Sequence, residues 1–216
     1  VSPWLSVLVY PSGGVRSTLP PASQPDISLP RATPCPLGLS GRLLLASSGT
    51  LPLDPAVQFA TGGTTVNFTI PVNSTNAIFA KQGNLIGLQT GTVARTFTLT
   101  PTFAAGGVDL TPASPTSLQF TVAPAAPVLL SVVPAISATA GTTNTVSLSI
   151  TGYSTTRTLK SISVQFSLPS GYSLPNSSFT VGVSQPAAAW FATPSSRTSD
   201  SQFPTNHPFT FAATHQ

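Results

Sequence analysis

The sequence predicts an all-β protein made of two tandem sandwich domains, preceded by an N-terminal strand and an extended Pro-rich linker. Three observations predict it. Charge is nearly absent: 216 residues carry 8 Lys and Arg and 4 acids, all four of them Asp. Globular domains usually place about a quarter of their residues as charged side chains, so Thr and Ser must hydrate this surface, and both suit the outer face of a pleated sheet. With 23 Pro and 16 Gly, long helices are disfavoured, because Pro removes a backbone donor and both residues punctuate regular structure. Finally, apolar residues recur at every second position over most of the chain, the period of a half-buried strand.

The elements follow in order. Residues 1–10 form a short strand in which Trp4, Leu5, Val7, Leu8, Val9 and Tyr10 place apolar side chains on both alternating faces. Residues 11–36 contain Pro11, Pro20, Pro21, Pro25, Pro30, Pro34 and Pro36, which favours a polyproline-like course reaching on the order of 80 Å. Residues 37–126 form the first sandwich. Val66, Phe68 and Ile70 alternate with Thr65, Asn67 and Thr69, and Gly62-Gly63 can turn a hairpin back onto Val57 and Phe59. Further strands lie at 42–46, 77–79, 85–88, around Phe97 and Leu99, and through Leu118, Phe120 and Val122. About seven strands result, the number an immunoglobulin-like sandwich needs.

Pro124-Ala125-Ala126-Pro127 breaks the pattern as a domain boundary. The second sandwich, 127–216, has strands at 128–133, through Val146, Leu148 and Ile150, through Ile162, Val164, Phe166 and Leu168, through Phe179, Val181 and Val183, at 188–192, and at Phe209 and Phe211. Six strands leave it one short of about seven, so its final strand is expected to be missing.

Asp54-Pro55-Ala56-Val57-Gln58-Phe59-Ala60, Val66-Asn67-Phe68-Thr69-Ile70-Pro71 and Gly87-Leu88-Gln89-Thr90-Gly91-Thr92-Val93 resemble a module of large secreted repeat proteins of soil bacteria. Thr151-Gly152-Tyr153-Ser154-Thr155-Thr156-Arg157 resembles the immunoglobulin-like module that follows it in those proteins. The resemblance spans 42–216 and implies an extracellular or cell-surface β-sandwich protein of unassigned biochemical role. It also implies a further strand after Phe209 and Phe211, before which this chain ends. The first 36 residues lie outside it.

A surplus apolar strand at one end and an unfinished sheet at the other fit one device. In donor-strand complementation a strand from one subunit completes the sheet of the next. The acceptor groove would be lined by Val146, Leu148, Ile150, Phe209 and Phe211. A head-to-tail contact of this kind generates an open filament, so the expected partner is a homopolymer of neighbouring subunits. The competing reading pairs residues 4–10 within their own chain. The function expected is that of a non-catalytic structural subunit of an extracellular filament or surface layer. The alternative is a stalk or carbohydrate-binding module of a larger adhesin, whose partners would be surface glycans.

Chemistry is sparse. Basic residues are scattered, with only Arg157 and Lys160 close together, so no clustered footprint for nucleic acid exists. No apolar run approaches the length of a membrane span. Cys35, the single cysteine, is a small buried apolar residue or a bridge to another chain. His207, expected in a solvated turn, and His215 are the only imidazoles beside Asp26, Asp54, Asp109 and Asp200. They suggest no catalytic triad, no zinc or calcium site and no cofactor. Trp190, Phe191, Tyr153 and Tyr172 could form a sugar-binding platform, although such aromatics more often fill a core. Asn67, Asn73 and Asn176 match the N-glycosylation acceptor pattern.

Overall fold

The computed structural model describes residues 8–10, 18–19, 21–49, 54–139, 143–167, 174 and 176–212. Strands make up 50% of it and helices 8%, so the chain is all-β. It divides into two compact units, 1–125 and 126–216.

The first unit contains β1 (Leu8–Tyr10), β2 (Thr18–Leu19), β3 (Asp26–Ser28), β4 (Leu39–Ser47), β5 (Gln58–Phe59), β6 (Thr65–Ile70), β7 (Ile78–Phe79), β8 (Ile86–Gln89), β9 (Arg95–Ala105), β10 (Val108–Asp109) and β11 (Leu118–Val122). One sheet runs β1-β3-β8-β5; the larger runs β2-β11-β9-β4-β6-β7, with β10 paired to β9. The period-2 pattern decides which face is buried. Val66, Phe68 and Ile70 point inward from β6 while Thr65, Asn67 and Thr69 are exposed. Residues of both sheets share one core: Ile27, Phe59, Ile86 and Leu88 from the first, and Leu43, Leu45, Phe68, Phe97, Leu99 and Phe120 from the second. Phe97 and Phe120 lie directly opposite each other and stack at 5.2 Å. Gly41 sits opposite Phe68, and a Cβ there would collide with that ring and with the Thr102 carbonyl; only glycine gives the ring its seat.

Two expectations for this unit are corrected. The expected extended linker over 11–36 does not hold for its described part, because Ile27, Leu29 and Cys35 are buried in the core. The prolines leave Asp26-Ile27-Ser28-Leu29 uninterrupted, long enough to pair with β8 and to turn alternate side chains inward. Gly62-Gly63, with φ of 86° and 69°, does turn the chain, but β5 pairs with β8 and β6 with β4 and β7. The turn therefore carries the chain from one sheet to the other instead of closing a hairpin.

The second unit contains β12 (Val128–Thr139), β13 (Thr143–Tyr153), β14 (Ser161–Gln165), β15 (Ser178–Gly182), α1 (Ser184–Phe191), α2 (Pro194–Thr198) and β16 (Gln202–Ala212). Its sheets run β12-β13-β16 and β14-β15. The strand expected at 188–192 is instead the end of α1. Ala187, Ala188 and Ala189 are the strongest helix formers, and Pro186 falls in the first turn, where its missing N–H costs nothing. His207, expected in a turn, lies in β16 with Nε2 2.9 Å from Thr205 Oγ1. The unit repeats the glycine device: Gly152 faces Phe203, and a Cβ would stand 2.7 Å from the ring and 2.6 Å from the Val128 carbonyl.

Candidate assembly surface and polar cleft

The five acceptor residues come together, but as a covered core. Leu148, Ile150 and Phe209 are buried and Val146 and Phe211 half-buried, under Ile162, Val164, Phe166, Phe179 and Val181 of the β14–β15 side. The cover is aromatic: Phe166 lies 5.3 Å from Phe209 and 5.2 Å from Phe211, in edge-to-face geometry, the arrangement ring quadrupoles favour.

The uncovered surface is one strand over. On the β12–β13 ladder, Val132 faces Ile150, Pro134 faces Leu148 and Ile136 faces Val146. Residues directly opposite share a face, so β12 extends the core face. Yet Val132 remains 47% exposed and Ile136 76%, while Ile150 is 2% exposed. A three-stranded face is roofed by two strands, and the roof stops short of β12. Leu129, Leu130 and Val133 are also more than half exposed, and no charge occurs from 110 to 156. β12 is thus a long apolar edge strand without charge, interrupted at Pro134 and by a register shift between Leu129 and Ser131. The opposite edge, β16, carries Pro204 and Pro208, which prevent pairing at those positions.

Of the six donor residues, Leu8, Val9 and Tyr10 form β1, pairing with Ser28, Ile27 and Asp26 of their own chain. This is the intramolecular reading for those three. Trp4, Leu5 and Val7 lie outside the described residues.

A second concave surface lies on the first unit, a cleft of about 760 Å³ lined by Arg42, Asn67, Thr69, Ile78, Thr102 and Asp109 among others. Strand register builds it: Asn67, Arg42 and Thr102 stand side by side on β6, β4 and β9. Asp109 Oδ1 accepts the Thr111 N–H at 2.8 Å, and this bond holds its carboxyl below the ordinary carboxylate range. The cleft therefore offers one cation, one carboxylate, an amide and the three hydroxyls of Ser40, Thr69 and Thr102.

Of the four platform aromatics, Tyr153 is half-buried. Phe191 is buried, with the Arg157 guanidinium 6.0 Å from its ring, and the half-buried Trp190 donates its Nε1–H to the Gln202 carbonyl at 2.8 Å. Tyr172 and His215 lie outside the described residues. Asn67, Asn73 and Asn176 are all exposed. Cys35 is buried at 5% exposure. Among the described residues no three His, Cys, Asp or Glu side chains could hold one metal ion, and no helix is long and apolar enough to cross a membrane.

Sequence reasoning missed how two of its own segments meet. Asp54, fully buried, accepts the N–H groups of Ala56 and Thr92, both at 2.9 Å. Gly91, at φ 70°, lies so close that a Cβ would collide with the carboxylate. An Asp followed by Pro, and a remote Gly-Thr, were the available signal. No protein-family model and no curated protein matches this chain.

Proposed function

We propose that this chain is a non-catalytic structural subunit of an extracellular filament or surface layer, built from two immunoglobulin-like sandwiches and joined head to tail by strand addition. One observation carries the proposal: Val132 and Ile136 continue a buried core face yet lie open to solvent. Fully covering such a side chain is worth about 1.5–3 kcal/mol, so a neighbour's strand paired along the β12 edge, its inward side chains packed beside Val132 and Ile136, recovers part of that at each. The uncharged edge adds backbone hydrogen bonding without repulsion. The N-terminal segment is the donor in this reading. Among the described residues its ladder with β3 pairs Leu8, Val9 and Tyr10 with Ser28, Ile27 and Asp26, and transfer to a neighbour exchanges that pairing for an equivalent one.

Electron microscopy of three proteins tests this. The intact chain should form filaments or sheets. Val132→Lys/Ile136→Lys and a variant lacking residues 1–10 should give discrete particles. Assembly by the truncated protein but not by the lysine variant would retain the acceptor and reject the donor; assembly by the lysine variant would reject the proposal.

The cleft over Arg42, Asn67 and Asp109 favours a second reading, the stalk or carbohydrate-binding module, since its mix of hydroxyl, amide and charged groups suits sugar hydroxyls. Glycan binding lost in Arg42→Ala, with assembly unchanged, would support that reading.

A further inference from the structure

Independently of assembly, the first unit holds an apolar cavity of about 270 Å³ lined by Arg31, Cys35, Pro36, Leu37, Leu39, Phe103 and Leu110. Its two sides are held in place by backbone hydrogen bonds. Arg31 N–H donates to the Thr75 carbonyl at 2.7 Å, fixing the 31–39 segment, and Leu110 N–H donates to the Phe103 carbonyl at 2.9 Å, fixing the β9–β10 side. Every lining residue but one is apolar or a thiol. The exception is Arg31, half-buried, whose Nη1 is buried without a hydrogen-bond partner. No acid lines the cavity.

A guanidinium is always charged and carries five donors. Leaving a buried donor of a charged group unsatisfied is unfavourable, and an apolar wall supplies no acceptor. What this donor lacks is an acceptor, and beside a fixed positive charge an anion is the strongest one; a single cation calls for a single negative charge. The remaining lining is hydrocarbon, which calls for an apolar tail. We propose that this cavity binds a small monocarboxylate with an apolar chain or ring, its carboxylate paired with the Arg31 guanidinium through parallel N–H donors and its tail against Leu39, Phe103 and Leu110. The volume suits such a ligand: an apolar cavity of about 150 Å³ holds benzene, so this one takes a chain of roughly eight carbons or a ring with a short arm. Leu37 and Leu110, 62% and 45% exposed, lie partly open to solvent and give the tail a way in.

The test uses the full chain with octanoate and octanol as matched probes, read by calorimetric titration and by the rate at which the Cys35 thiol reacts with a disulfide reagent. Octanoate should bind about tenfold more tightly than octanol, the scale of one charge-assisted pair, and should slow the Cys35 reaction. In Arg31→Gln the two probes should bind alike. In Leu37→Ser, a change at an exposed site that leaves the core intact, both should weaken while the preference for octanoate remains. The proposal is overturned if octanoate does not bind the intact chain, if octanol binds it equally well, or if the preference survives in Arg31→Gln.

Discussion

Asp54 carries more of the first unit's stability than any exposed charge, because burial makes both of its hydrogen bonds obligatory. Its carboxylate joins the turn before β5 to the loop after β8 through Ala56 and Thr92. Hydrogen bonds to a charged group are each worth about 1.5–3 kcal/mol; with the two lost and the desolvation of the buried carboxylate relieved, Asp54→Ala should lower unfolding stability by roughly 2–4 kcal/mol in urea titrations. Gly91→Ala should also destabilise, since it meets both the left-handed backbone and the carboxylate. At the exposed Asp109 the effect is one of pH. Its folded-state value is depressed by the bonds to Thr111, so its contribution is present above the unfolded value of about 3.9 and is lost as pH falls through the lower folded value. Asp109→Asn should remove that acid-side loss, seen as a smaller drop in Tm relative to wild type between neutral and strongly acid pH.

At the scale of elements, the two edges of the second unit's larger sheet have been treated differently. Both edges carry proline, Pro204 and Pro208 on β16 and Pro134 on β12, but β12 adds a row of exposed apolar side chains. The same exposure separates stability from association. Ile136→Thr should change the unit's stability by no more than about 0.5 kcal/mol, while Ile150→Ala, one strand inward, should cost about 2–5 kcal/mol; thermal unfolding measures both. Much of this was legible in the sequence. Val66, Phe68 and Ile70, or Leu148 and Ile150, alternate so regularly that only a strand accommodates them. The end of α1 was not legible, because Ala188, Ala189, Trp190 and Phe191 form a short apolar run without a decisive period. Ile27 and Leu29 were hidden by the prolines around them. The five residues named as acceptor lie in one cluster, but which strand lacked a roof depended on how far β14 and β15 extend, a tertiary fact. Arg31 gave no signal, being one of eight scattered basic residues, and only the apolar walls around it make it notable.

At the scale of the whole molecule, the units differ in how much core each encloses. Among the described residues the first buries eighteen in one continuous cluster, whereas the main cluster of the second buries three, with seven more packed at its margin and Val183, Ala187, Phe191 and Phe203 buried outside it. Small cores give marginal units. Calorimetry of the dilute chain should therefore show two transitions, with the lower one belonging to residues 126–216, and that lower transition should rise with protein concentration if association completes the core. A concentration-independent single transition would mean that the second unit gains nothing from a neighbour.

The most direct test is sedimentation velocity of the intact chain across a wide concentration range, alongside Val132→Lys/Ile136→Lys. The account predicts that the intact chain grows into species larger than the monomer as concentration rises, while the variant, equally folded by circular dichroism, sediments as a monomer throughout. An intact chain that stays monomeric at every concentration, or a lysine variant that assembles as readily, would contradict it.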